Sequence, residues 1–105
     1  MDNSPIAILS SARTPIGKLN GTLSSIPATE LGAVAIRAAL DKAKLEPGVV
    51  DYTIMGNVLS AGIGQAPARQ AAIRAGIPDT QSALTINKVC ASGMMAVVLA
   101  GLMVR

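Results

Sequence analysis

Apolar and polar residues follow two different periods along this chain. Residues 5–10 (PIAILS) form a short apolar run, partly β-branched and ended by small polar residues, and predict a buried strand. Residues 11–27 carry Thr14-Pro15, Gly17, Asn20-Gly21 and Ser24-Ser25, all turn formers, and predict a loop. The period then lengthens. Leu31, Val34, Ala35 and Ala38 recur at helical spacing, while Ile36, Ala39, Leu40 and Ala43 widen the stripe. Glu30, Arg37, Asp41 and Lys44 mark the polar side. Pro27 suits the opening of this helix, over 28–44, with Glu30 favouring its start and Lys42 and Lys44 its end. Pro47-Gly48 stops it.

Residues 52–58 (YTIMGNV) predict a second strand, and the glycine-rich residues 62–65 a connection. Pro67 opens a helix through residue 75, closed by Gly76 and Pro78. Residues 83–89 predict a third strand and residues 91–105 a third helix. The order β-α-β-α-β-α with short links predicts the α/β class, a parallel sheet with helices packed on it. The third helix carries no charge from Met94 to Val104. A helix apolar on every side has to be surrounded by protein. Three short strands and two alanine-rich helices are too little to surround it. The expectation is that residues 1–105 form the front part of a longer protein, whose remainder packs on that helix.

Composition sharpens the picture. There is no Phe or Trp and one Tyr (Tyr52), so the core is expected to be aliphatic, built from Ala, Val, Ile, Leu and Met. There is no histidine, so an imidazole base has to come from elsewhere. Net charge is +3, but the nine basic residues are scattered and no aromatic platform accompanies them, which argues against nucleic-acid binding. A single cysteine excludes an internal disulfide framework and a cysteine-based metal site within the chain, and suits a reducing compartment. No secretory signal is visible, and the apolar stretch 94–104 is too short to span a bilayer.

That cysteine, Cys90, is the strongest candidate for chemistry. It falls where the third strand gives way to the third helix, in TINKVCASG. Backbone N–H groups and the helix dipole at the first turn of a helix favour an anion, here a thiolate able to act as a nucleophile. Unpaired cysteines more often serve as small buried hydrophobes. The small residues Ala91, Ser92 and Gly93 favour the nucleophile, because they let a substrate approach the sulfur. Other motifs carry less. Gly62-Ile63-Gly64 lacks the spacing of a dinucleotide fingerprint and reads as a plain connection. Ser10 and Ser11 have neither a histidine nor a glycine elbow. Asp51 and Asp79 suit turn capping. Met94, Met95 and Met103 read as core filler.

The run NKVCASGM resembles the active-site segment of thiolases, especially the biosynthetic acetyl-CoA acetyltransferases. The likeness spans nearly the whole chain: SSARTPIGKLNG is similar to their first-strand loop, SSIPATELGAVAIRAAL to their first helix, and VDYTIMGNVLSAGIGQAPARQAAIRAGIP to their second strand, glycine turn and second helix. The resemblance implies part of the N-terminal half of a layered α/β/α/β/α fold, in which the helix after Cys90 belongs to a central pair. It implies that Cys90 takes the acetyl group of acetyl-CoA as a thioester, with its backbone N–H in an oxyanion hole. A second acetyl-CoA then attacks that thioester, giving acetoacetyl-CoA and CoA; thiolysis is the reverse. Coenzyme A thioesters are thus expected as substrates, with no separate cofactor and no metal.

The same resemblance implies a homodimer or homotetramer of the full-length protein, with Leu84, Thr85, Ile86, Asn87 and Lys88 as the candidate contact. A cytoplasmic location is expected, with mitochondria or peroxisomes as alternatives. The family's Gly-His-Pro segment, its second cysteine, its asparagine-bearing segment and its CoA-gripping loop domain have no counterpart in the sequence. The chain by itself is therefore expected to be inactive. Met95 and Lys44 stand where many members carry lysine and glycine. A degradative 3-ketoacyl-CoA thiolase, a non-catalytic truncated form pairing with full-length subunits, and a thiol redox module are the competing readings; the last lacks a resolving cysteine.

Overall fold

Alanine rather than bulk sets the packing. In the computed structural model, which describes residues 3–105, the buried apolar residues are Ala33, Ala68, Ala71, Ala72, Ala75, Ile77 and Ala96. No large side chain is fully buried among the described residues, so the expected aliphatic core consists mostly of its smallest member. Small residues let backbones come close. A Cβ on Gly32 would sit 3.1 Å from the Cβ of Ala71, which marks the tight seam between the first two helices.

The first helix, α1, spans Ala28–Ala43. Pro27 stands just outside it as N-cap, at φ −58 and ψ 145, one residue earlier than the expected helical start. Lys44 closes it in the left-handed region at φ 57, with its N–H on Asp41 O and the next N–H, of Leu45, on Leu40 O. This is the closure glycine usually provides. A 3₁₀ turn, Pro47–Val49, leads into β1, Tyr52–Gly56. Helix α2 spans Pro67–Arg74, β2 spans Ser82–Ile86, and α3 spans Ser92–Val104.

β1 and β2 pair in parallel, Tyr52 with Ser82 through Gly56 with Ile86. Alternate residues face opposite sides, as strands require. Met55 lines a small cavity with Ala28, Gly32, Ala68 and Ala71 on the side of α1 and α2. Thr85 accepts the Ala68 N–H at 2.9 Å, satisfying one open donor at the start of α2. Ile54 and Gly56 border a groove with Gly93, Ala96 and Val97 of α3. Helices thus lie on both faces of the sheet.

Two expectations need correction. Residues 5–10 form no strand: the sheet among the described residues has two members. Ile8 and Leu9 are exposed, and the segment is tied down through the Ser10 hydroxyl, which donates to Ala39 O. An apolar run becomes a strand only where a ladder partner meets it, and none does here. The second and third predicted strands also end sooner, at Gly56 and Ile86, because the chain turns there to build the site described next. The third helix is as bare as its sequence implies. Met94, Val97, Leu102, Met103 and Val104 are all more than half exposed. No helix among the described residues is long and apolar enough to cross a membrane.

Candidate active site

β1 and β2 end side by side, and everything that shapes the site lies at those two ends. The ladder continues one bond past β1, from the Asn57 N–H to Ile86 O at 2.9 Å. Beyond Ile86 the chain reverses sharply through residues 87–91. Asn87 begins the reversal: its side-chain Oδ1 accepts the Val89 N–H at 2.9 Å, and its Nδ2 donates to Val58 O at 3.3 Å. Val89 then takes φ 47, in the left-handed region. A β-branched residue is out of place there, at a cost of about 1–2 kcal/mol.

Ser92 holds the other side of the reversal. It is buried, and its hydroxyl donates to Val89 O at 2.6 Å while accepting the Lys88 N–H at 2.8 Å. Two backbone bonds, from the Ala91 N–H to Lys88 O and from the Ser92 N–H to Val89 O, complete the turn. α3 starts immediately, its first α-helical bond running from the Met95 N–H to Ala91 O at 2.9 Å. The amides of Gly93 and Met94 have no protein acceptor among the described residues.

Cys90 sits at the apex of this turn, as a free and exposed thiol. It is not in the first turn of the helix, where the sequence pattern places it. It precedes the N-cap, Ala91, by one residue. The reason is local: Lys88 to Ala91 closes as a turn before the helical ladder begins, which lifts the cysteine off the helix. The reading of Cys90 as a buried hydrophobe does not describe this site.

Gly56 allows the arrangement. A Cβ built on it would meet Ser92 Cβ at 2.6 Å, Ser92 C at 2.8 Å and Gly93 N at 2.9 Å. The start of α3 therefore rests directly on the end of β1. An isolated glycine inside a strand pattern signals such an approach, so Gly56 was readable in YTIMG. Ser92 and Val89 gave no comparable signal.

Other sequence candidates lie away from this point. The glycine-rich connection is anchored, since Gln70 Nε2 donates to Ile63 O and Gln65 O. Ser10 is engaged with α1. Leu84, Thr85 and Ile86 belong to β2, whose outer edge carries no strand among the described residues, and Asn87 and Lys88 belong to the turn. No group of three or more His, Cys, Asp or Glu that could hold a metal occurs among the described residues.

Known proteins share this architecture. Residues 6–105 match the family model described as the thiolase N-terminal domain. The chain is 59% identical over 95 residues to an acetyl-CoA acetyltransferase of Cupriavidus necator, covering 90% of this chain and 24% of that protein. It is 55% identical over 95 residues to a cytosolic acetyl-CoA acetyltransferase of Gibberella zeae, again covering 90% of this chain and 24% of that protein. The crystal structure of the Acat5 thiolase from Ascaris suum in complex with coenzyme A superposes with a TM-score of 0.89 at 43% identity, over 91% of this chain and 25% of that one. The chain spans about a quarter of the length of the curated relatives it matches.

Proposed function

This chain belongs to the thiolase family, and from that premise we propose that Cys90 is the acyl-carrying nucleophile of an acetyl-CoA C-acetyltransferase. One observation carries the proposal: the only cysteine of the sequence is exposed at the apex of a strained strand-to-helix turn, just ahead of Gly93 and Met94, whose amides have no protein acceptor among the described residues. Left-handed strain in a β-branched residue persists only where surrounding bonds hold it, and such sites cluster at reacting groups. The relatives named above are acetyl-CoA acetyltransferases, which supports acetyl rather than long-chain acyl transfer.

The reaction follows from the sulfur. The Cys90 thiolate attacks the thioester carbon of acetyl-CoA, and the carbonyl π electrons move to oxygen. When they return, the bond to the CoA sulfur breaks and CoA thiolate leaves. A second acetyl-CoA gives up an α-proton, and its carbanion attacks the acetyl-cysteine carbon. A C–C bond forms, the C–S bond to Cys90 breaks, and acetoacetyl-CoA departs with the thiolate restored. N–H groups aimed at the oxyanion, including that of Cys90, would each stabilise the transition state by about 3 kcal/mol.

In the family a histidine activates the nucleophile and a second cysteine moves the α-proton, and this sequence carries neither. We therefore place residues 1–105 as part of an N-terminal thiolase domain that works with further elements packed on α3. The uncovered apolar face of α3 supports this reading. Pairing of subunits along the outer edge of β2, at Leu84 to Ile86 and the adjoining Asn87 and Lys88, belongs to the same proposal, as does a cytoplasmic location.

Thioester exchange tests the role of Cys90 without the missing base. Incubation with acetyl-CoA, followed by intact-mass and peptide analysis, is expected to place one acetyl group on Cys90 and none on a Cys90→Ser chain. No acetoacetyl-CoA should accumulate. Acetyl found only on lysines, with Cys90 free, would overturn the assignment.

A further inference from the structure

Within the turn that presents Cys90, one side chain is bonded at both ends to backbone groups from different loops. Asn87 Oδ1 accepts from Val89, two residues on, and Asn87 Nδ2 donates to Val58, 29 residues away in sequence. The amide orientation is fixed by these partners. Turned over, it would set N–H against N–H and oxygen against oxygen. The bond to Val58 joins the β2–α3 turn to the β1–α2 connection. Asn57, at the end of β1, ties that connection to itself in turn, donating from Nδ2 to Leu59 O and Ser60 Oγ.

We propose that Asn87 is a positioning residue: it holds Val89 in the left-handed conformation and thereby sets where Cys90 stands relative to the amides that begin α3. The need for such a residue is physical. Valine alone would leave the left-handed region, where its Cβ crowds the following carbonyl oxygen. One well-made hydrogen bond contributes a net stabilisation of the same size as that crowding costs. Ser92 constrains the Val89 carbonyl, whereas Asn87 engages the Val89 N–H. Asn87 is also the only one of the two whose side chain reaches the neighbouring loop. Substituents on a turn apex swing with the backbone of the preceding residue, so release of Val89 moves the sulfur off its line of attack.

The inference rests on the proposed role of Cys90 only for its kinetic readout. The test compares the parent chain with Asn87→Ala, Val89→Gly and the double variant. The Val89 amide hydrogen-exchange rate reports the turn directly, acetyl-CoA exchange at Cys90 reports function, and a thermal melt reports global folding. Asn87→Ala is expected to lower Val89 amide protection and the acetyl-exchange rate by about tenfold each, with little change in melting. In the Val89→Gly background, where glycine takes the left-handed region without steric cost, the same substitution should lower the exchange rate by about twofold or less. Unchanged Val89 protection in Asn87→Ala, or equal losses in both backgrounds, would overturn the proposal. A parent chain that transfers no acetyl group would instead remove the functional reading, while Val89 protection still decides the role of Asn87.

Discussion

Gly56 lies so near Ser92 that a single methyl group on it would come within 2.6 Å of the serine Cβ. The obstructing atoms are a Cβ and backbone, not the end of a flexible chain. The beginning of α3, and with it the turn that carries Cys90, is therefore seated on the last residue of β1. Gly56→Ala should lift α3 from the strand. The expected cost is about 1–3 kcal/mol, the usual range for overpacking a fitted contact. Urea unfolding checks this; an unchanged midpoint would mean that the seat is not tight.

Lys44 offers the opposite case. It ends α1 at φ 57, where a side chain is disfavoured and glycine is not. The closing bonds on Asp41 and Leu40 are backbone groups and survive substitution. Lys44→Gly should stabilise the chain by about 1 kcal/mol, seen as a rise of several degrees in the melting midpoint. A fall would show that the lysine side chain contributes more than its backbone strain costs.

Thr53 hides a hydroxyl that has no partner among the described residues. Leaving a buried donor unsatisfied costs about 1–3 kcal/mol. Thr53→Val keeps the shape and removes the polar atom. Equal or greater stability in thermal unfolding is expected. A clear loss would reveal an acceptor or water bound to that oxygen.

The uncharged surface of α3 predicts self-association. Val97 and Leu102 are both more than half exposed on a helix without a single charge from Ser92 to Val104. Contiguous apolar patches of this kind are buried in some partner or in a second copy. Sedimentation velocity of the parent chain should show concentration-dependent species, and Val97→Glu with Leu102→Lys should shift it toward monomer. A parent chain that stays monomeric at high concentration would contradict this.

Local signals made most of the framework readable. The stripe from Leu31 to Ala43 and the Pro67-to-Gly76 punctuation placed α1 and α2 within a residue or two, because caps and periodicity are properties of neighbouring residues. Residues 5–10 read as a strand and form none, because pairing depends on a strand elsewhere in the chain. The sequence singles out Cys90, one residue before the predicted helix, but not its place at the apex of a turn. That place depends on Val89 turning left-handed, which valine itself disfavours, and the turn is made by bonds from Asn87 and Ser92. The spacing of Asn87 to Val89 fits a side chain bonding two residues ahead, so a sequence signal existed; the second bond, to Val58, is nonlocal and had none.

The proposed role of Cys90 requires that folding make it a better acyl acceptor than a thiol on a flexible chain. The rate of acetyl exchange between acetyl-CoA and Cys90, measured for the folded chain and for the same chain unfolded in urea, addresses it directly. A small thiol measured in both solvents corrects for the medium. The folded chain should react at least about tenfold faster, less than one well-placed oxyanion donor alone can supply. Equal rates, or a faster unfolded chain, would contradict it.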